Sequence, residues 1–185
     1  MNGHKLLYWD KVVNVGNGWE VQETPNGADP LPKTTNGMKI LDFGKNSCCF
    51  ATPGEMCMKE QVVDLMGQGF TAEDLDKQPI IKISEWFASH ADFIGDYLLE
   101  ATLLNEKKEN MKSFLFKDDF SDKQLGKWHQ VIHIFSNYGT GVRYVKFSHA
   151  GQSQLNFPGH LGTKMSGGVV SLQPLIKKKN KFKYH

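Results

Sequence analysis

Short apolar stretches, each closed off by turn-forming residues, recur along this chain, and almost none of it carries the 3.6-residue period of an amphipathic helix. Residues 62–65, 80–83, 97–104, 112–116, 128–135, 142–147 and 169–172 are rich in β-branched or aromatic side chains and bounded by Gly, Asn, Asp or Ser. Residues 14–37 are instead dominated by turn formers: Asn14, Gly16, Asn17, Gly18, Thr24-Pro25-Asn26-Gly27, Pro30, Pro32 and Asn36-Gly37, with strand character only at Trp19-Glu20-Val21. Asn-Gly pairs accept positive φ and close tight hairpins, so this stretch reads as short strands joined by loops. Residues 71–76 offer a capping Thr71 and an acidic first turn, enough for one or two helical turns, and Pro79 stops them. Many short strands without long helices between them predict a mainly β fold, an antiparallel sandwich or barrel, with one or two short helices.

A chain of 185 residues suits one compact domain that buries roughly 70 % of its unfolded surface. A net charge of +2 provides no broad basic stripe, so nucleic acid is not an expected partner. No apolar run approaches the about 20 residues that cross a bilayer. Residues 1–10 already carry His4, Lys5 and Asp10, which is not the layout of a secretory signal, and the expected location is cytoplasmic. Cys48, Cys49 and Cys57 are odd in number, two of them adjacent, with no His close in sequence to complete a metal set. They read as thiols packed like small hydrophobes in a reducing compartment.

Catalytic motifs are not found: the sequence has no phosphate-binding glycine loop, no dinucleotide fingerprint and no nucleophile elbow. His129 and His133 are four residues apart, a metal-binding spacing on a helix, but their segment is built of strand formers. On a strand the two imidazoles stand about 13 Å apart, too far to share one ion. The expectation is a non-enzymatic protein without metal or other cofactor.

Four blocks of residues are similar to the F-box-associated domain of the sugar-recognising F-box proteins. They are Asn17-Gly18-Trp19-Glu20-Val21; Phe50-Ala51-Thr52 with Cys57-Met58-Lys59 and Gln61-Val62-Val63-Asp64-Leu65; Ser84-Glu85-Trp86-Phe87 with Asp92 and Tyr97; and Gly126-Lys127-Trp128 running through Tyr138-Gly139-Thr140-Gly141-Val142-Arg143-Tyr144 to His149-Ala150-Gly151. Their order and spacing hold from about residue 17 to 173. The resemblance implies a two-sheet antiparallel β-sandwich of the galactose-binding-like or jelly-roll type. The expected organisation is an N-terminal extension over residues 1–13, the sandwich over 14–174 and a basic C-terminal tail over 175–185. Within it, Gly139 and Gly141 are expected to free the turn before a strand, and a buried Arg143 would need a carboxylate, either Asp64 or Asp92.

In glycan-binding members the resemblance implies a site on loops at one end of the sandwich, gripping chitobiose at the base of high-mannose chains. One wall is an aromatic before the Cys-x-Lys segment, a place that Phe50 takes in this chain. The other is a Tyr-Trp-Lys run, replaced in this chain by Asn156-Phe157-Pro158, which keeps one ring but loses the indole N–H and the ammonium. Each lost contact removes roughly 1–3 kcal/mol. Phe50, Asn156 and Phe157 are thus the expected ligand-binding residues, with Asp92 and Lys164 as polar supports. The family's F-box, a helical segment that docks on the Skp adaptor of cullin-based ubiquitin ligases, does not fit in the residues before Trp19, so the adaptor is not expected as a partner through this chain alone. The implied function is recognition of a glycoprotein or misfolded protein within ubiquitin-linked quality control; the alternative is a protein–protein interaction module that has lost glycan binding.

Overall fold

The computed structural model describes residues 8–35, 38–39, 43, 48–155 and 158–173. In chain order they form β1 (Asp10–Asn14), β2 (Glu20–Gln22), β3 (Thr34–Thr35), β4 (Met38–Lys39), β5 (Cys49–Ala51), β6 (Cys57–Asp64), α1 (Ala72–Asp76), β7 (Ile80–Ala88), β8 (Gly95–Asn105), β9 (Asn110–Asp118), β10 (His129–Phe135), β11 (Val142–Ser153) and β12 (Lys164–Gln173). Two five-stranded antiparallel sheets make up the body, ordered β1-β6-β11-β8-β9 and β10-β7-β12-β5-β2, with β3 and β4 as a separate ladder. The fold is the two-sheet antiparallel sandwich expected from the strand series and the resemblance, with a single short helix among the described residues.

Burial alternates along β8 up to Ala101, and Tyr97, Leu99, Ala101 and Leu103 are buried between the sheets. Facing them, β7 contributes Ile81, Ile83 and Phe87 to the same core. Phe87 stacks on Tyr97 with centroids 4.2 Å apart and meets Phe116 edge-on at 5.7 Å. Each such pair is worth about 0.5–1.5 kcal/mol beyond the area it buries. Strand β7 runs on to Ala88, past the stretch 80–83 that the apolar pattern marks. Its outer face is buried too, at Ser84, Trp86 and Ala88, with Phe43 lying 6.0 Å from Trp86, so no polar alternation outlines it.

Thr71 caps α1 as expected, its hydroxyl accepting from the Asp74 N–H at 3.1 Å, and Leu75 buries the helix against the core. The partner of Arg143 is Asp76, at 2.9 Å, and neither Asp64 nor Asp92. The helix folds back over the start of β11, where Gly141 N–H also donates to Asp76, while the Asp64 carboxylate is taken by Gly67 N–H in the turn after β6. Gly139 and Gly141 have φ of +86° and +100°, the freedom that this turn requires. Strand β1 pairs with β6 from Asp10 onward, so the sandwich includes residues ahead of position 14. It is an edge strand with Val12 turned outward and exposed, which leaves it no inward apolar period. The basic tail, residues 175–185, lies outside the described residues.

Candidate functional site

Strand register decides which loops meet. Asn14 opposes Cys57, Glu20 opposes Ala51, and Lys164 opposes both Ala51 and Ala88. Phe87 opposes His129, Asp118 opposes Tyr97, and Ser153 opposes Gly95. Because every pairing is antiparallel, the loops 15–19, 52–56, 89–94, 119–128 and 154–163 all emerge at the same end. Rigid strands with variable loops on one rim are a common arrangement for binding.

Three of these loops enclose a groove of about 260 Å³ lined by Gly16, Asn17, Pro53, Gly54, Glu55, Pro158 and Gly159. Backbone bonds lock the rim: Thr52 N–H donates to Thr163 C=O at 3.1 Å, and Gly162 N–H returns to Thr52 C=O at 3.0 Å. A side chain at Gly162 would collide with the Thr52 hydroxyl and the Pro53 carbonyl, so only glycine lets the two loops approach this closely. Gly16, at φ +58°, lies directly under the Glu55 carboxylate. His160 donates from Nε2 to the Gly18 carbonyl at 3.0 Å and places Nδ1 3.5 Å from Glu20, tying loop 154–163 to the root of β2.

Under this rim the sandwich interior is charged. Glu85 of β7 accepts from the Tyr97 hydroxyl at 2.6 Å and from His149 Nδ1 at 2.8 Å. A carboxylate only accepts, so Nδ1 carries the imidazole proton. Burial holds His149 below the ordinary histidine range against the pull of Glu85, and burial beside Glu85 raises Tyr97 well above its own. His149 lies between two indoles, parallel to Trp9 at 4.7 Å and 5.5 Å from Trp19. Lys59, fully buried, sets its ammonium 2.9 Å over the Phe50 ring, 4.0 Å over Trp9 and 4.6 Å over Trp19.

The expected site residues therefore divide. Phe50 sits in β5, not on the loop, with its ring turned toward Lys59 and His149 between the sheets. Lys164 opens β12 and is fully buried on the outer face, its ammonium donating to the Gly162 carbonyl at 3.3 Å. Burial pushes it down to about 8, partly offset by Cys49 and Glu20, and burial pushes the Cys49 thiol up to about 12. Asp92 is exposed on the 89–94 loop; its N–H donates to His90 Nδ1 at 3.1 Å. Asn156 and Phe157 lie outside the described residues, but Pro158 after them lines the groove. Sequence reading missed Gly16, Asn17, Pro53, Gly54 and Glu55; the one signal that points to them is the density of turn formers on either side of β2 and β5. His129 and His133 share β10, where His133 stacks on Phe114 at 3.9 Å. No group of three or more His, Cys, Asp or Glu that could hold a metal ion occurs among the described residues, and no helix there is long and apolar enough to cross a membrane.

The sequence pattern described as the F-box associated region matches residues 2–172. F-box only protein 2 from Bos taurus is 30 % identical over 169 residues, an alignment covering 90 % of this chain and 54 % of that protein. F-box only protein 44 from Homo sapiens is 29 % identical over 171 residues, covering 90 % and 63 %. F-box only protein 6 from Homo sapiens is 30 % identical over 174 residues, covering 91 % and 55 %. The chain thus spans between 54 % and 63 % of the length of these relatives.

Proposed function

The chain belongs to the F-box associated family, and from that membership we propose that it is a non-enzymatic substrate-recognition module, taking a glycoprotein or misfolded protein at the loop end of the sandwich. The observation that carries this reading is the convergence of five loops on one rim, with Pro158, in the run that replaces the family's Tyr-Trp-Lys, lining the groove there. Its lining glycines and its polar groups, Asn17 and Glu55, suit a hydroxyl-rich ligand, whose hydroxyls bond an amide and a carboxylate. Phe157, next to Pro158 in sequence, supplies a ring to stack on a sugar face in this proposal. A link to ubiquitin-dependent degradation is part of the same reading, supported by relatives that are F-box only proteins.

A second reading is favoured by one feature: the described groove lining contains no aromatic ring. A protein–protein module that has lost glycan binding fits this. Titration with chitobiose, followed through the amide resonances of Gly16, Gly54 and Gly159, separates the two. Saturable shifts at millimolar sugar that vanish in Phe157→Ala support the first; silence of all three amides refutes recognition of that sugar and leaves the second.

A further inference from the structure

The roots of the groove converge on a single buried charge. Trp19 closes the 15–19 loop that carries Gly16 and Asn17, and Phe50 leads into the 52–56 loop that carries Pro53, Gly54 and Glu55. Trp9, immediately before β1, brings a third segment to the same point. These three rings are far apart in sequence and come from different elements, yet all face the Lys59 ammonium, within 2.9 to 4.6 Å of their centroids. That ammonium donates to no hydrogen-bond acceptor among the described residues, so the ring faces are its solvation.

We propose that Lys59 is the positioning residue of the groove: its enclosed ammonium holds Trp19 and Phe50, and through them sets the position of the adjoining 15–19 and 52–56 loops that line it. The inference rests on the recognition reading above. A cation at this place acts on both loops together, because it is attracted by every ring it faces. A neutral side chain of the same length fills the space without that attraction. The other charged or titratable groups around it are Glu85 from β7, His149 from β11, Lys11 from β1 and Cys48 before β5. Glu85 is already engaged by His149 and Tyr97 and does not bond Lys59 in their place. Burial holds Lys59 well below the ordinary lysine range, so the attraction is switched off at a pH where exposed lysines are still charged.

The experiment uses the whole chain and three proteins: native, Lys59→Met and Lys59→Arg. Chemical shifts of the Gly16, Gly18 and Gly54 amides are followed from pH 6 upward, and chitobiose binding is measured at pH 7 in parallel. The expected result is a step in all three amides below the ordinary lysine range in the native protein, absent from both variants. Lys59→Arg, charged throughout, keeps the low-pH native positions. Lys59→Met shows displaced amides at every pH and binds chitobiose about tenfold more weakly. If the Met variant fails to unfold cooperatively, the Arg variant decides alone, by native positions without the step. Unmoved loop amides in Lys59→Met, or a native-like step surviving in Lys59→Arg, overturn the proposal. Should the native protein ignore chitobiose, the recognition reading falls for that sugar, while the amide titration still judges Lys59.

Discussion

Replacing Lys164 by Met stabilises this protein at neutral pH, and the gain disappears as the pH is raised. Lys164 is fully buried and its ammonium is pushed from 10.5 down to about 8, chiefly by burial. A shift of about 2.5 units corresponds to ~3 kcal/mol of penalty on the charged folded form. Met matches the stem of lysine in length and polarity, but it forfeits the 3.3 Å bond to the Gly162 carbonyl, which is worth about 1 kcal/mol. The net expectation is ~2 kcal/mol in favour of Lys164→Met at pH 7. Between about 8 and 10.5 the unfolded chain binds a proton at this lysine and the folded chain does not, so native stability rises with pH across that window. Cys49 opposes it with the reverse sign: its thiol keeps its proton in the fold up to about 12, so stability falls from 9 toward 12. The advantage of the Met variant therefore shrinks from about pH 8 and is gone by about 10.5, while the contributions of Cys49, Lys59 and Tyr97 fall on both proteins alike. Urea unfolding followed by circular dichroism at half-unit pH steps measures both curves. Parallel curves from pH 7 to 10.5 would refute the argument, because they would mean that Lys164 binds its proton equally in both states.

Three further outcomes are expected. Thr71→Ala removes the acceptor for Asp74 N–H and lowers stability by about 1 kcal/mol, seen as a reduced urea midpoint with unchanged slope. Tyr97→Phe leaves the buried Glu85 carboxylate one donor short and lowers stability by about 1–3 kcal/mol, while circular dichroism of the folded state stays native-like. Gly162→Ala pushes loop 154–163 off the Thr52–Pro53 rim; chitobiose binding is lost and the Thr52 amide loses its protection from hydrogen exchange, and unchanged protection would count against the rim geometry described above.

Strands were legible in this sequence wherever one face is dry and the other wet. Residues 97–104 and 112–116 fall inside β8 and β9, and 128–135 matches β10 from His129 on, because alternate side chains face the core and set the period. Strand β5 escaped notice because it is three residues long and buried on both faces. The extensions of β7, β11 and β12 escaped for a different reason: each buries a polar residue, Glu85 and His149 between the sheets and Lys164 on the outer face, where an apolar residue would have continued the pattern. Those interruptions are not scattered. Lys59 and His149 are register partners on β6 and β11, Glu85 reaches His149 across the sandwich, and Lys164 starts β12 under the 154–163 loop. The site itself was less legible, since glycine, proline and asparagine line it and their types report a turn, not what the turn encloses. Phe50 illustrates the limit: a ring before a loop has the same identity whether it stacks on a sugar or on the Lys59 ammonium, and only the register of β5 against β2 and β12 turns it inward. Placing buried charge, at a cost in stability, against the strands that carry the binding loops is coherent if loop spacing is what the interior is built to hold. An apolar core would pack equally well against several loop positions, whereas a cation solvated by three ring faces and an imidazole bonded to a carboxylate accept few alternatives.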